Sequence, residues 1–209
     1  MKNKTIIIAE AGVNHNGSLS LAKKLIKAAS RAGADYVKFQ TYDVDSMIRK
    51  NTKLTIYQKK NLKKNLTQYE ILKKYKLRNN WYRSLILYSK KNNIKLISSP
   101  FDIKSIQLIK KFNFDYIKIP SGEINNLPYL KVLAKQKKKL ILSTGMSTLS
   151  EVKNAISILR SKGLKKNNLY VLHCHSDYPS KPENLNLKAI GLLERKIGLN
   201  VGYSDHSAG

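Results

Sequence analysis

Short apolar runs that stop at polar, glycine-rich or proline-containing segments recur along the chain, each followed by a stretch with helical spacing. The runs are 5–10, 36–40, 95–99, 116–120, 140–143, 170–173 and 201–204. Between them Leu19, Leu21, Ala22, Leu25, Ile26 and Ala29 make one apolar helix face, and Ile103, Ile106, Leu108 and Ile109 make another. The segment Leu149 to Leu159 repeats the pattern, opened by Thr148 with Glu151 three residues later, the spacing of a capping box. Strands alternating with helices predict a parallel sheet covered by helices. The stretch 42–81 breaks the rhythm. It is too long for a simple connection and rich in Lys, Asn and Tyr, so it reads as an insertion with helical pieces, either a lid or a disordered excursion.

Periodicity leaves two closures open, a doubly wound sheet or a barrel. The polar residues help to separate them, because nearly every run finishes with chemistry at its C-terminal end: 10–17, 38–41, 98–102, 121–126, 143–146, 173–178 and 204–206. A site fed by all strand ends belongs to a barrel, whereas an open sheet collects ligands at one switch point. The Gly-x-Gly-x-x-Gly turn of the open sheet is also absent. The expected fold is α/β, a parallel (β/α)8 TIM-type barrel with 1–209 as one domain.

A hydrophobic share of 42% over 209 residues is enough to bury such a core. The net charge of +27 suggests a polyanion partner. Against this, the basic residues are mostly Lys, in scattered runs such as Lys59-Lys60, Lys63-Lys64 and Lys135 to Lys139, without the arginines and interleaved aromatics of nucleic-acid readers. A solvated surface that steers anionic substrates is the expected meaning, with no specific nucleic-acid partner. The single Cys174 excludes an intrachain disulfide and fits a reducing, cytoplasmic setting. No run approaches the roughly 18 apolar residues of a membrane span, and Glu10 stops the first run too early for a signal peptide.

All four histidines, His15, His173, His175 and His206, fall at strand ends or just after them. Each alone reads as a structural imidazole; their shared placement favours function. His206, in Tyr203-Ser204-Asp205-His206-Ser207, is the best candidate metal ligand, with Asp205 as a carboxylate behind it, although one histidine does not make a metal site. Lys38 and Lys118 stand inside runs that otherwise read as buried, so each needs an anion or an escape to the rim along its own stem. With the hydroxyls of Ser99, Ser121 and Ser204 they would form a receptor for a small molecule carrying phosphate and carboxylate. Glu10 and Glu123 follow strands directly and serve either as acid, base or hydroxyl acceptors, or as salt-bridge partners of those lysines. The turn Ser143-Thr144-Gly145-Met146 offers backbone amides to an anion, a weak signal alone.

At these residues the sequence resembles the N-acetylneuraminate, legionaminate and pseudaminate synthases of the sialic acid synthase family. The resemblance opens with Ala9-Glu10-Ala11-Gly12-Val13-Asn14-His15-Asn16-Gly17-Ser18 and continues in the family's order. Val37-Lys38-Phe39-Gln40-Thr41, Ser98-Ser99-Pro100-Phe101-Asp102 and Lys118-Ile119-Pro120-Ser121-Gly122-Glu123 follow. Leu142-Ser143-Thr144-Gly145-Met146, Leu172-His173-Cys174-His175-Ser176-Asp177-Tyr178-Pro179 and Gly202-Tyr203-Ser204-Asp205-His206 complete it.

The resemblance implies a condensation. The enol carbon of phosphoenolpyruvate attacks the aldehyde of an open-chain N-acetylmannosamine-like sugar, water adds to the resulting cation, and phosphate leaves. It also implies a divalent metal, Mn2+ or Mg2+, that polarises the aldehyde. By match to the family motifs, Lys38, Ser99, Lys118, Ser121, Ser176 and Ser204 would hold phosphoenolpyruvate and His206 a metal. Glu10, Glu123 and Tyr178 would meet the sugar or assist proton transfer.

His175 departs from the family, which usually has a small or β-branched residue there, and so alters the pocket wall. The chain also ends after the seventh strand, before the family's eighth strand with its second metal-binding histidine and before the C-terminal antifreeze-like domain. The expectation is a barrel cut short, weakly active or inactive in this form and prone to associate through its open edges. Full-length relatives form head-to-tail homodimers. Ser121-Gly122-Glu123 resembles the neuraminate and legionaminate branches rather than the pseudaminate branch. The rival expectation is a polyanion-binding protein that keeps the fold without catalysis.

Overall fold

The computed structural model describes residues 5–54 and 66–208. They fall into two compact units divided after Lys111.

The first unit holds β1 (Ile8–Gly12), β2 (Tyr36–Thr41) and β3 (Lys95–Pro100), paired in parallel in that order. Helix α1 (Leu19–Arg31) connects β1 to β2 and buries Ala22, Ile26 and Ala29, while Leu21 of the expected face stays exposed. Ser18 caps it, its hydroxyl accepting from the Leu21 amide. The first strand starts later than its apolar run suggests. Ile6 and Ile7 are exposed, and the Ile7 backbone is engaged with Asp35 instead: its N–H donates to Asp35 Oδ2 at 2.9 Å and its carbonyl accepts from the Asp35 amide.

The described parts of 42–81 are α2 (Val44–Met47), α3 (Gln68–Tyr75) and a 3₁₀ turn (Asn79–Trp81) that leads into α4 (Tyr82–Lys91). The centre of the expected insertion, with Lys59-Lys60 and Lys63-Lys64, lies outside the described residues. Its flanks pack into the unit: Tyr42, Val44, Ile71 and Leu77 are buried, and the Tyr42 hydroxyl donates to the Leu72 carbonyl. Thr67 and Glu70 form a reciprocal capping box at the start of α3. Helix α5 (Ile103–Ile109) follows β3, capped by Asp102, and buries Ile106 and Ile109.

The second unit holds β4 (Tyr116–Ile119), β5 (Lys139–Ser143), β6 (Leu169–Cys174) and β7 (Val201–Ser204), again parallel and in sequential order. Helices α6 (Leu127–Ala134), α7 (Leu149–Ser161) and α8 (Lys188–Ile197) connect them, with α6 packed on α7. The capping box expected at Thr148 and Glu151 is present in both directions. Strands β4 and β5 are almost wholly buried, as parallel strands covered on both faces are.

Candidate active site

In the first unit the parallel register sets Glu10 of β1 directly beside Lys38 of β2. The two side chains form an ion pair, with Lys38 buried and the Glu10 carboxylate half exposed. Lys38 therefore keeps its ammonium inside with an anion rather than extending to the rim, because a buried charge without a partner is costly. The pairing shifts register between Glu10 and Gly12, where Ala11 is the extra residue of a bulge. Gly12 adopts φ +50°, and a Cβ there would stand 3.3 Å from Glu10 Oε1 and 3.7 Å from Gln40 Nε2. Gln40 and the Glu10 carboxylate thus both border Gly12, and Gln40 is a site neighbour that reading the charged residues one by one passes over. Its position two residues after Lys38 on one strand face was the available signal.

Strand β3 brings Ser98 and Ser99, which point to opposite faces. Ser98 is bonded to Thr41 Oγ1 at 2.6 Å and to the Phe39 carbonyl, and Thr41 also bonds the buried Tyr82 hydroxyl of α4. Ser99, in register with Gln40, is 1% exposed, and its hydroxyl finds no partner among the described residues. That unused hydroxyl is a feature of a binding site rather than of a closed core. His15 is also fully buried; its Nδ1 accepts from the Gly17 amide at 3.1 Å, so Nε2 carries the proton and is unpaired among the described residues. Burial holds its pKa below the usual histidine value.

In the second unit, Ser121 opens the turn after β4, and its hydroxyl accepts from the Gly145 amide at 3.0 Å. A Cβ on Gly145 would stand 2.7 Å from Ser176 Oγ and 3.0 Å from Ser121 Oγ. Two hydroxyls from the ends of β4 and β6 therefore meet over a residue without a side chain. Two of the amides that the turn offers are engaged: Thr144 N–H donates to the Leu172 carbonyl and Gly145 N–H to Ser121 Oγ. The hydroxyls, not those amides, present the polar surface. Ser143 adds a buried hydroxyl without a partner among the described residues. Glu123 accepts from Asn126 Nδ2 at 2.6 Å. Lys118 is partly exposed and makes no ion pair among the described residues.

The loops after β6 and β7 are tied together. The Ser180 amide donates to the His206 carbonyl at 2.8 Å, and Ser180 bridges to Ser207. His206 Nδ1 lies 2.5 Å from the His175 carbonyl and must donate to it. Its Nε2 is then the lone-pair nitrogen, 3.2 Å from the Tyr178 hydroxyl and 3.4 Å from Ser204 Oγ. The Tyr178 ring stacks on the imidazole with centroids 4.1 Å apart.

The hydrogen bonds of Asp205 go to other groups than the His206 ring. Its carboxylate accepts from the Ser207 amide and hydroxyl and from Tyr203, and those bonds, the Ser207 amide first, keep its pKa low. The carbonyl of His175 takes the orienting role instead. His175 itself pairs with Asp177 at 3.0 Å, and His173 bonds the Leu185 carbonyl while stacked on Tyr203.

An Nε2 lone pair fixed by a backbone carbonyl suits a divalent metal as one ligand. Among the described residues no three His, Cys, Asp or Glu side chains gather to complete a set.

A model of the NeuB family matches residues 25–209. The chain belongs to the NeuB family. The N,N'-diacetyllegionaminic acid synthase of Campylobacter jejuni is 47% identical over 99% of this NeuB-family chain, which covers 62% of that relative. The pseudaminic acid synthase of the same species is 37% identical, again over 99% of the chain and 60% of the relative. Among solved structures, the N-acetylneuraminic acid synthetase of Leptospira borgpetersenii, in complex with citrate, superposes with a TM-score of 0.84 at 33% identity. That match covers 99% of this chain and 67% of the other. The fold is the parallel α/β barrel type that the strand ends predicted. The chain spans less than two thirds of the length of the curated relatives it matches.

Proposed function

We propose that this NeuB-family protein belongs to a synthase joining phosphoenolpyruvate to an open-chain N-acetylated amino sugar, in the N,N'-diacetyllegionaminate branch. One observation carries the reading: 47% identity over nearly the whole chain with a synthase of that name. The strand-end geometry supports it. Lys38 is a buried cation, Ser99 a buried hydroxyl still unpaired among the described residues, and Ser121 and Ser176 a hydroxyl pair over Gly145. These are the groups that a compact, doubly charged enol phosphate needs.

In the reaction, a carbon–carbon bond forms between the enol carbon of phosphoenolpyruvate and the sugar aldehyde, leaving a cation at the carbon that bears the phosphate. Water adds there, the carbon–oxygen bond to phosphate breaks, and a nine-carbon 2-keto acid and inorganic phosphate result. By match to the family motifs, Lys38, Ser99, Lys118, Ser121, Ser176 and Ser204 are the groups that bind the anion. Glu10 accepts sugar hydroxyls or the proton released when water adds. Glu123, fixed by Asn126, and the exposed Tyr178 meet the sugar. A bound Mn2+ or Mg2+ would be held by His206 Nε2 and would polarise the aldehyde.

The test is phosphate release from phosphoenolpyruvate by the full gene product, with 2,4-diacetamido-2,4,6-trideoxymannose compared against N-acetylmannosamine. Faster turnover of the trideoxy sugar supports the legionaminate branch. Preference for N-acetylmannosamine moves the protein to the neuraminate branch, and no reaction with either sinks the proposal.

A further inference from the structure

A cleft of about 740 Å³ opens in the first unit between the loop after β1 and the segment joining α3 to α4. Its walls carry Lys73, Lys74, Lys76, Arg78, Asn79 and Asn80, with Asn16 and Gly17 opposite. Four of its eight lining residues are cationic, against 40 Lys and Arg in 209 residues. The cleft therefore concentrates positive charge beyond the chain's general bias, and among the described residues no acidic side chain lines it.

The walls are fixed. Gly17 has φ +72°, and a Cβ there would collide with the Lys74 carbonyl, so only glycine lets the loop close on the end of α3. His15, buried behind it, holds the Gly17 amide at 3.1 Å. Some cations are held as well. Lys74 lies over the Tyr75 ring, Arg78 lies 5.3 Å from the Trp81 centroid, and Lys76 stands 3.6 Å from Asp43 Oδ2. Even with Lys76 partly balanced by Asp43, three further cations and three asparagine side-chain amides line one concavity. Its size is that of a small-molecule site.

We propose that this cleft is a binding site for a small molecule bearing two or more linked phosphates, separate from the phosphoenolpyruvate groups on the strand ends. Lysines meet phosphate as mobile point charges and Arg78 as a planar fork, while asparagine amides donate to the remaining oxygens. Among the described residues no aromatic side chain lines the cleft, so recognition rests on the phosphates rather than on a base.

The experiment is calorimetric titration of the protein with tripolyphosphate at about 0.15 M salt, where charges beyond about 8 Å are screened. The expected result is one saturable site per chain. The double variant Lys74→Ala/Arg78→Ala should weaken it about tenfold or more, the loss of two charge-assisted contacts. A control, Lys162→Ala/Lys165→Ala, removes equal charge at exposed positions elsewhere and should leave affinity unchanged. Equal weakening in both variants would show diffuse attraction and overturn the site. Displacement by phosphoenolpyruvate would merge it with the substrate site, and preference for heparin or duplex DNA at the same residues would make the ligand a macromolecule; either outcome overturns the proposal as stated.

Discussion

His206 donates from Nδ1 to the backbone carbonyl of His175 across 2.5 Å, and that bond leaves Nε2 as the ring's only lone pair. The acceptor is main chain, so the bond is indifferent to the side chain at position 175. Replacing His206 by Ala should lower Mn2+ affinity by about 10–100-fold or more, read by electron paramagnetic resonance of free manganese. Replacing His175 by Val should leave it nearly unchanged. Equal losses in both would show that the His175 side chain, not its carbonyl, governs the site.

The pair Glu10–Lys38 separates stability from activity. Glu10→Gln leaves a buried ammonium without its carboxylate, and because Glu10 is half exposed the cost should be about 1–3 kcal/mol, below that of breaking a fully buried pair. Lys38→Met keeps an apolar stem of similar length and removes the charge, so it should change the urea midpoint little while abolishing phosphate release. A large loss of stability in Lys38→Met would mark Lys38 as a structural rather than a substrate-binding cation.

Gly145→Ala places a methyl group 2.7 Å from Ser176 Oγ and 3.0 Å from Ser121 Oγ. Something must shift, at a cost of about 1–3 kcal/mol for an overpacked site. If the two hydroxyls hold phosphoenolpyruvate, its KM should rise about tenfold or more while the thermal midpoint falls by only a few degrees. An unchanged KM would remove both hydroxyls from the binding site.

The strands and several helices were legible because burial on both faces of a parallel sheet imposes long apolar runs, and because the Thr148–Glu151 spacing has one common meaning. The start of β1 was not, since Ile6 and Ile7 are apolar yet exposed, and the Ile7 backbone is engaged by Asp35. In the site, the ion pair of Glu10 with Lys38 is one of the two roles open to that carboxylate in the sequence, and it forms because the register sets β1 and β2 with these residues side by side. Adjacency in sequence places the Asp205 charge near His206, but its hydrogen bonds are not legible there, because a carboxylate next to a turn is satisfied locally by the amide and hydroxyl of Ser207. The carbonyl of His175 left no trace in the sequence, because every residue has one.

Asp43 makes stability in the first unit depend on acid. Its Oδ1 accepts from the Ser46 hydroxyl at 2.7 Å and from Lys104 Nζ at 3.0 Å, with Lys76 3.6 Å from Oδ2. The Ser46 bond first, then Lys104, lowers its pKa from 3.8 to about 2. A carboxyl whose pKa is lower in the folded than in the unfolded chain stabilises the fold fully above its unfolded value. That contribution is lost as pH falls through the folded value. The stability advantage of the parent chain over Asp43→Asn, from urea unfolding, should therefore be constant above pH about 5 and shrink between pH about 4 and about 2. High salt should reduce it at neutral pH, since Lys104 is exposed and its attraction is screened. An advantage that stays flat down to pH about 2 would mean that the carboxylate is not held in the charged form by these partners.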